Sequence, residues 1–178
     1  MIPIYTTLIV EDNQIARESL QHTIPWEELG LQLVAVADNG RQGCEMIRKY
    51  HPDIVLADIH MPEMDGLAMM EAMKEELSDS RVIFITAYDK IEYASRAIKL
   101  SAFDFILKPL DNDELCKSLR RAVESIHKNR DAAMESERRN AALRRFRLMN
   151  ALTTPSQKNE EVFLGFANQI PNGYFLIS

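Results

Sequence analysis

The chain has 178 residues, 46% of them hydrophobic and 27% charged, with a formal net charge of −6. That length suits one ordinary domain with some chain left over. No apolar run approaches the roughly 18 residues of a membrane span, and no basic segment leads into an apolar, small-residue leader, so a cytoplasmic chain is expected.

The charge is unevenly spread. Residues 1–127 hold 22 acids against 13 bases, a net −9, and residues 128–147 hold 7 bases against 3 acids, a net +4. The acidic part would repel nucleic-acid phosphates. The basic stretch fits the solvated face of a helix better than a nucleic-acid surface. Cys44 and Cys116 lie far apart in helix-like segments and fit reduced packing thiols. The four histidines show no zinc-ligand spacing.

In chain order, short apolar runs alternate with segments of helical period. The runs are Leu8–Val10, Leu33–Val36, Ile54–Ala57, Val82–Ile85 and Phe105–Leu107. Between them, common helix faces are predicted for Ala16, Leu20 and Ile24; for Cys44, Ile47 and Tyr50; for Leu67, Met70, Met73 and Leu77; and for Ile91, Ala94 and Ile98. Turn signals separate the segments at Asn39-Gly40, His51-Pro52, Asp65-Gly66 and Lys108-Pro109; at Asp65-Gly66 the glycine is expected to supply unusual backbone angles and the aspartate to cap the following helix. Five strands alternating with helices predict an α/β fold, a doubly wound parallel sheet covered on both faces.

From Asp111 onward one long helix is expected. Leu115, Leu119, Ala122 and Ile126 form its packed face, residues 128–140 carry little apolar surface, and Ala142, Phe146 and Met149 restore a stripe suited to helix–helix packing, within this chain or across a dimer. The division expected is a domain at 1–127, a helical linker at 128–152, and at 153–178 the start of a further region. Within that region 153–161 looks loop-like, and Val162–Ala167 and Tyr174–Ile177 look ordered.

The polar residues follow the rule that ligands bind at the carboxyl ends of parallel strands. Glu11 and Asp12 follow the first strand, Asp58 ends the third, Thr86 the fourth and Lys108 the fifth. Crowded carboxylates repel one another, and a hard divalent cation relieves that conflict. Asp12 and Asp58 suit direct Mg²⁺ ligation, with Glu11 acting through water. Lys108 and the Thr86 hydroxyl are what an incoming phosphoryl group needs, with a carboxylate as nucleophile.

Four stretches, in this order, resemble the receiver domains of two-component response regulators: Leu8-Ile9-Val10-Glu11-Asp12-Asn13, Asp58-Ile59-His60-Met61-Pro62-Glu63-Met64-Asp65-Gly66, Ile85-Thr86-Ala87, and Ala102-Phe103-Asp104-Phe105-Ile106-Leu107-Lys108-Pro109. The resemblance spans about residues 3–127 and implies a flavodoxin-like fold. It makes Asp58 the phosphoacceptor. It assigns Mg²⁺ (or Mn²⁺) to Glu11, Asp12, Asp58 and the backbone carbonyl of His60, and phosphate binding and switching to Thr86, small Ala87, Lys108 and the aromatic Phe105. Glu11 replaces the more usual first Asp, and Ser101 stands where many members have Gly.

The implied role is a stoichiometric phosphoacceptor with slow self-dephosphorylation, not an enzyme. A sensor histidine kinase donates the phosphoryl group, and the face of the fourth helix, fifth strand and fifth helix changes its homodimer or output contacts. Ile24-Pro25-Trp26-Glu27-Glu28-Leu29-Gly30 and Ala87-Tyr88-Asp89-Lys90-Ile91-Glu92-Tyr93-Ala94 further resemble receivers that precede AraC-type DNA-binding domains. DNA contact and transcription regulation are therefore expected only through a part outside these residues. Three other readings fit less well. A flavin site needs a Ser/Thr/Gly-rich first loop, a haloacid-dehalogenase-type hydrolase wants an Asp where His60 stands, and a phosphate-independent scaffold needs no complete acceptor set.

Overall fold

A computed structural model describes residues 4–87 and 91–153, with side chains through Met149. The expected ordered stretches within 162–177 and the Tyr88-Asp89-Lys90 motif lie outside the described residues. Contacts divide the chain into a unit at Met1–Asn129 and another at Arg130–Ser178.

In the first unit the strands are β1 (Tyr5–Val10), β2 (Leu31–Ala37), β3 (Ile54–Ala57), β4 (Arg81–Thr86) and β5 (Asp104–Leu107). They alternate with helices α1 (Gln14–Thr23), α2 (Gly40–Tyr50), α3 (Gly66–Ala72) and α4 (Ile91–Lys99), and α5 (Asn112–Thr153) follows β5. The sheet runs β2-β1-β3-β4-β5 with every pair parallel. This is the expected doubly wound, flavodoxin-like arrangement, with the long C-terminal helix.

The inner strands β1, β3 and β4 are buried on both sides because each faces helices on both sides, whereas the edge strands β2 and β5 leave some side chains exposed. Side-chain alternation sorts them into two cores. Leu8, Val10, Val55, Ala57, Val82 and Phe84 point to one face and pack with Ile47, Leu67, Met69 and Ala97 of the intervening helices. Tyr5, Ile9, Leu56, Ile83, Ile85 and Ile106 point to the other and pack with Leu20 of α1 and Leu115, Leu119, Ala122 and Ile126 of α5. Short polar side chains start the helices. Asn13, Asn39 and Asp65 accept from the backbone N–H of Ala16, Gln42 and Ala68, at 3.0, 2.8 and 2.6 Å, satisfying N–H groups that a helix leaves open.

Two expectations need correction. The Ile91/Ala94/Ile98 stripe is not the packed side of α4: Ile91 is 85% and Ile98 76% exposed, while Ala97 is buried and Tyr93 half-buried. Gly66 is not required for unusual backbone angles, since among the described residues Gly30 is the glycine with positive φ. A Cβ at Gly66 would instead lie 2.2 Å from the carbonyl oxygen of Asp58.

Residues 127–149 of α5 are exposed throughout. Phe146 and Met149, expected to pack helix to helix, are 62% and 59% exposed.

Candidate phosphoacceptor site

All strands being parallel, their carboxyl ends share one edge, where the register places Val10 beside Ala57 and Thr86 beside Leu107. The next residues continue the ladder. Glu11 N–H donates to Ala37 at 3.0 Å, Asp58 N–H to Val10 at 2.9 Å and Lys108 N–H to Thr86 at 2.8 Å, each to a backbone carbonyl. The backbones of three candidate residues are thus fixed as firmly as the strands, and only their side chains lie free of the sheet.

Glu11, Asp12 and Asp58 offer carboxylate oxygens that all lie within 4.8 Å of one another. Glu11 and Asp58 are buried and Asp12 is exposed. Lys108 joins the two buried ones. Its Nζ donates to Glu11 Oε1 and Oε2 at 3.0 and 2.8 Å and to Asp58 Oδ2 at 2.7 Å. Asp58 Oδ1 accepts from the backbone N–H of His60 at 3.1 Å. His60 itself is exposed.

The electrostatics follow from burial. Loss of water pushes the Glu11 carboxyl above its ordinary value, and the nearby charges of Asp58 and Asp12 push the same way; the Lys108 hydrogen bond opposes them without winning. Burial alone would lower Lys108, but its bonds to Asp58 and Glu11 and their charges outweigh it and hold the ammonium protonated. Three carboxylates against one ammonium leave a formal −2. An all-oxygen donor set with that residual charge fits a hard divalent cation.

Thr86 is fully buried at the end of β4, Ala87 is exposed just beyond it, and Phe105 is half-buried on β5 against the core that holds Ala97. The structure therefore brings Glu11, Asp12, Asp58 and Lys108 into direct proximity, and sets Thr86 at the end of β4, Ala87 just past it and Phe105 on β5, all on the β4 side of Asp58.

Two contributors were not expected at the site. The Arg17 guanidinium folds back from α1 and donates to the backbone carbonyls of Glu11 and Asp12, clamping the acidic loop. Gly66 lets the start of α3 approach Asp58, and its N–H donates to Ile59 at 2.9 Å. Only a five-residue offset from Asp12 to a cation hinted at the clamp.

A doubly wound sheet with an acidic cluster and one lysine at its carboxyl edge defines a phospho-signalling class of site. Residues 7–120 match the family described as response regulator receiver domain, and the chain belongs to that family. It is 42% identical over 114 residues to an uncharacterized response regulatory protein of Yersinia pestis, covering 64% of this chain and 46% of that protein. It is 29% identical over 138 residues to the uncharacterized transcriptional regulatory protein YesN of Bacillus subtilis, covering 75% of this chain and 38% of that protein. The chain thus spans about half the length, or less, of such curated relatives. Among solved structures, the REC domain of AraT, a response regulator from Geobacillus stearothermophilus, superposes with a TM-score of 0.67 at 33% identity, over 73% of this chain and 99% of that one.

Proposed function

We propose that this receiver accepts a phosphoryl group on Asp58 from the phosphohistidine of a sensor kinase, and that the acyl phosphate switches its contacts. The observation that carries the reading is the Lys108 ammonium bridging Glu11 and Asp58 at the carboxyl edge of the sheet. A carboxylate oxygen of Asp58 attacks phosphorus, the P–N bond breaks, and the imidazole leaves with its electron pair and takes a proton. Lys108 is placed to neutralise an equatorial phosphoryl oxygen, and the Thr86 hydroxyl to donate to another. Glu11, Asp12, Asp58 and the His60 carbonyl would hold Mg²⁺ or Mn²⁺. When bound, the ion cancels the residual negative charge and polarises phosphoryl oxygens.

Phe105 is the proposed follower of Thr86, with Ala87 leaving room for the phosphate. The transfer is stoichiometric, and slow hydrolysis resets it. The apolar residues exposed on α4 and β5, Ile91, Ile98 and Leu107, support a homodimer or output contact on that face. Regulation of transcription through a DNA-binding part outside this sequence is supported by the name of YesN and by the AraC-type motifs. Among the described residues no helix is long and apolar enough to cross a membrane.

The test is the intact mass of wild-type and Asp58→Asn protein after acetyl phosphate and Mg²⁺. An adduct of about 80 Da, one phosphoryl group in place of hydrogen, is expected on the wild type alone. Equal uptake by both proteins sinks the assignment.

A further inference from the structure

We infer that the foot of the sheet carries a second binding site, for a small organic anion with an apolar body. A cavity of about 530 Å³ opens where β4 and β5 begin, at the edge opposite Asp58. That volume lies within the roughly 300–1,000 Å³ of small-molecule sites. Its floor is apolar: Met70, Leu77, Leu100 and Ala102 line it, and all belong to or pack on the core of that face.

The polar part is cationic. Lys74, in the turns after α3, and Arg81, the first residue of β4, both line the cavity. Among the described residues no carboxylate lines it, although residues 1–127 hold 22 acids against 13 bases. Of the acids nearest in sequence, Glu71 and Glu76 pair with Arg96 and Arg48, and Glu75 and Asp79 stand outside the lining.

Arg81 is held ready. Its Nε donates to Ser125 Oγ at 3.0 Å and its Nη1 to the carbonyls of Asp79 and Ser80 at 3.2 and 3.1 Å. Its guanidinium carbon sits 5.9 Å from the centre of the Phe103 ring. Nη2 makes no bond among the described residues, and neither does the Lys74 ammonium. Two cationic residues, Lys74 and Arg81, thus line a cavity with an apolar floor, the combination by which a pocket selects a carboxylate or sulfonate on an apolar skeleton. Ser101 at the rim keeps a left-handed φ of 63° without being glycine. Such strain survives only where its surroundings impose it, and it concentrates at ligand sites.

The inference does not depend on the chemistry at Asp58. Its probe is the full chain titrated with the fluorescent dye anilinonaphthalene sulfonate and, in parallel, with phenylnaphthylamine, which has the same aromatic body and no charge. One saturable site for the dye is expected, about tenfold tighter than for the neutral amine, the effect of one charge-assisted contact. Lys74→Glu should weaken the dye by about tenfold while leaving the amine within about twofold. Ser78→Trp, from an exposed lining position, should fill the cavity and remove both. Circular dichroism melting checks that each variant folds. Ile98→Lys, which breaks the apolar stripe on α4, should change neither affinity. Dye binding that ignores Lys74→Glu and Ser78→Trp, or that disappears with Ile98→Lys, overturns the site. Equal affinity for dye and amine overturns the anionic class.

Discussion

Replacing Gly66 by alanine tests whether the start of α3 is wedged against the phosphoacceptor. The new Cβ would meet the Asp58 carbonyl oxygen at 2.2 Å, the Asp58 carbonyl carbon at 3.1 Å and Phe84 Cε1 at 3.2 Å. Real Cβ contacts essentially never fall below 3.0 Å, so α3 or Asp58 must move by roughly 0.8 Å. The obstacle is backbone, fixed by the Asp58 N–H bond to Val10 at 2.9 Å, and cannot rotate away as a side chain would. Overpacking of this kind costs about 1–3 kcal/mol. Alanine recovers up to about 1 kcal/mol through its helix preference over glycine, less here because Gly66 is the first residue of α3. The net expectation is a loss of about 1–2 kcal/mol, read as a lower urea midpoint with an unchanged slope. Because a misplacement near 1 Å can cost about a hundredfold in a positioned reaction, adduct formation from acetyl phosphate should slow by at least about tenfold. Wild-type stability together with a wild-type rate of phosphorylation would refute the reasoning, since it would mean that α3 does not bear on Asp58.

Other perturbations probe the same frame. Ser101→Gly removes a side chain from a left-handed φ of 63° and should raise stability by about 0.5–1 kcal/mol in urea unfolding; a loss would show that the hydroxyl matters more than the strain. Arg17→Ala frees the carbonyls of Glu11 and Asp12 and should weaken Mn²⁺ binding, followed by the resonance signal of the free ion, by about tenfold as other supports of metal loops do; unchanged affinity would reduce the clamp to a helix contact. Burial pushes the Cys44 thiol above 9.0. Above pH 9.0 the unfolded chain gains by ionising Cys44 while the folded chain does not, so stability is intact below that pH and falls as pH rises through the folded value; Cys44→Ala should lose that part of the alkaline slope. Mg²⁺ at ten times its dissociation constant should add about 1.4 kcal/mol, seen as a higher melting temperature that an equal ionic strength of KCl does not reproduce.

The sheet was legible because parallel strands buried on both faces must be apolar runs, and the five runs stand apart between turn residues. For the same reason, which side of each strand faces which helices was not legible, since nothing in Ile54-Val55-Leu56-Ala57 distinguishes one face from the other. Helix α4 misled because its most hydrophobic stripe, Ile91 and Ile98, is the exposed one, and periodicity reports that a face is apolar without saying what covers it. The cluster of Glu11, Asp12, Asp58 and Lys108 followed from strand ends alone, since topology brings strand ends together whatever the loops do. Arg17 escaped because its partners are carbonyl oxygens, which every residue has. Gly66 was noticed for the wrong reason: a sequence shows that a side chain is absent, and only coordinates show what occupies its place.

The charge at the site sets what it can hold. Before transfer, the Lys108 ammonium donates to Glu11 and Asp58, and Glu11, buried and raised in pKa, depends on that ammonium for most of its compensation. An acyl phosphate on Asp58 carries about −1.5 to −2 where a carboxylate carried −1. On the proposed reading the same ammonium must then reach a phosphoryl oxygen, and Glu11 loses part of its partner. A buried carboxylate stripped of its counter-ion takes up a proton or costs several kcal/mol. On the same reading, the exposed Asp12 and the residual −2 would let a divalent ion held there compensate Glu11, and the lysine would be free to follow the phosphate; cation binding is then proposed to precede transfer.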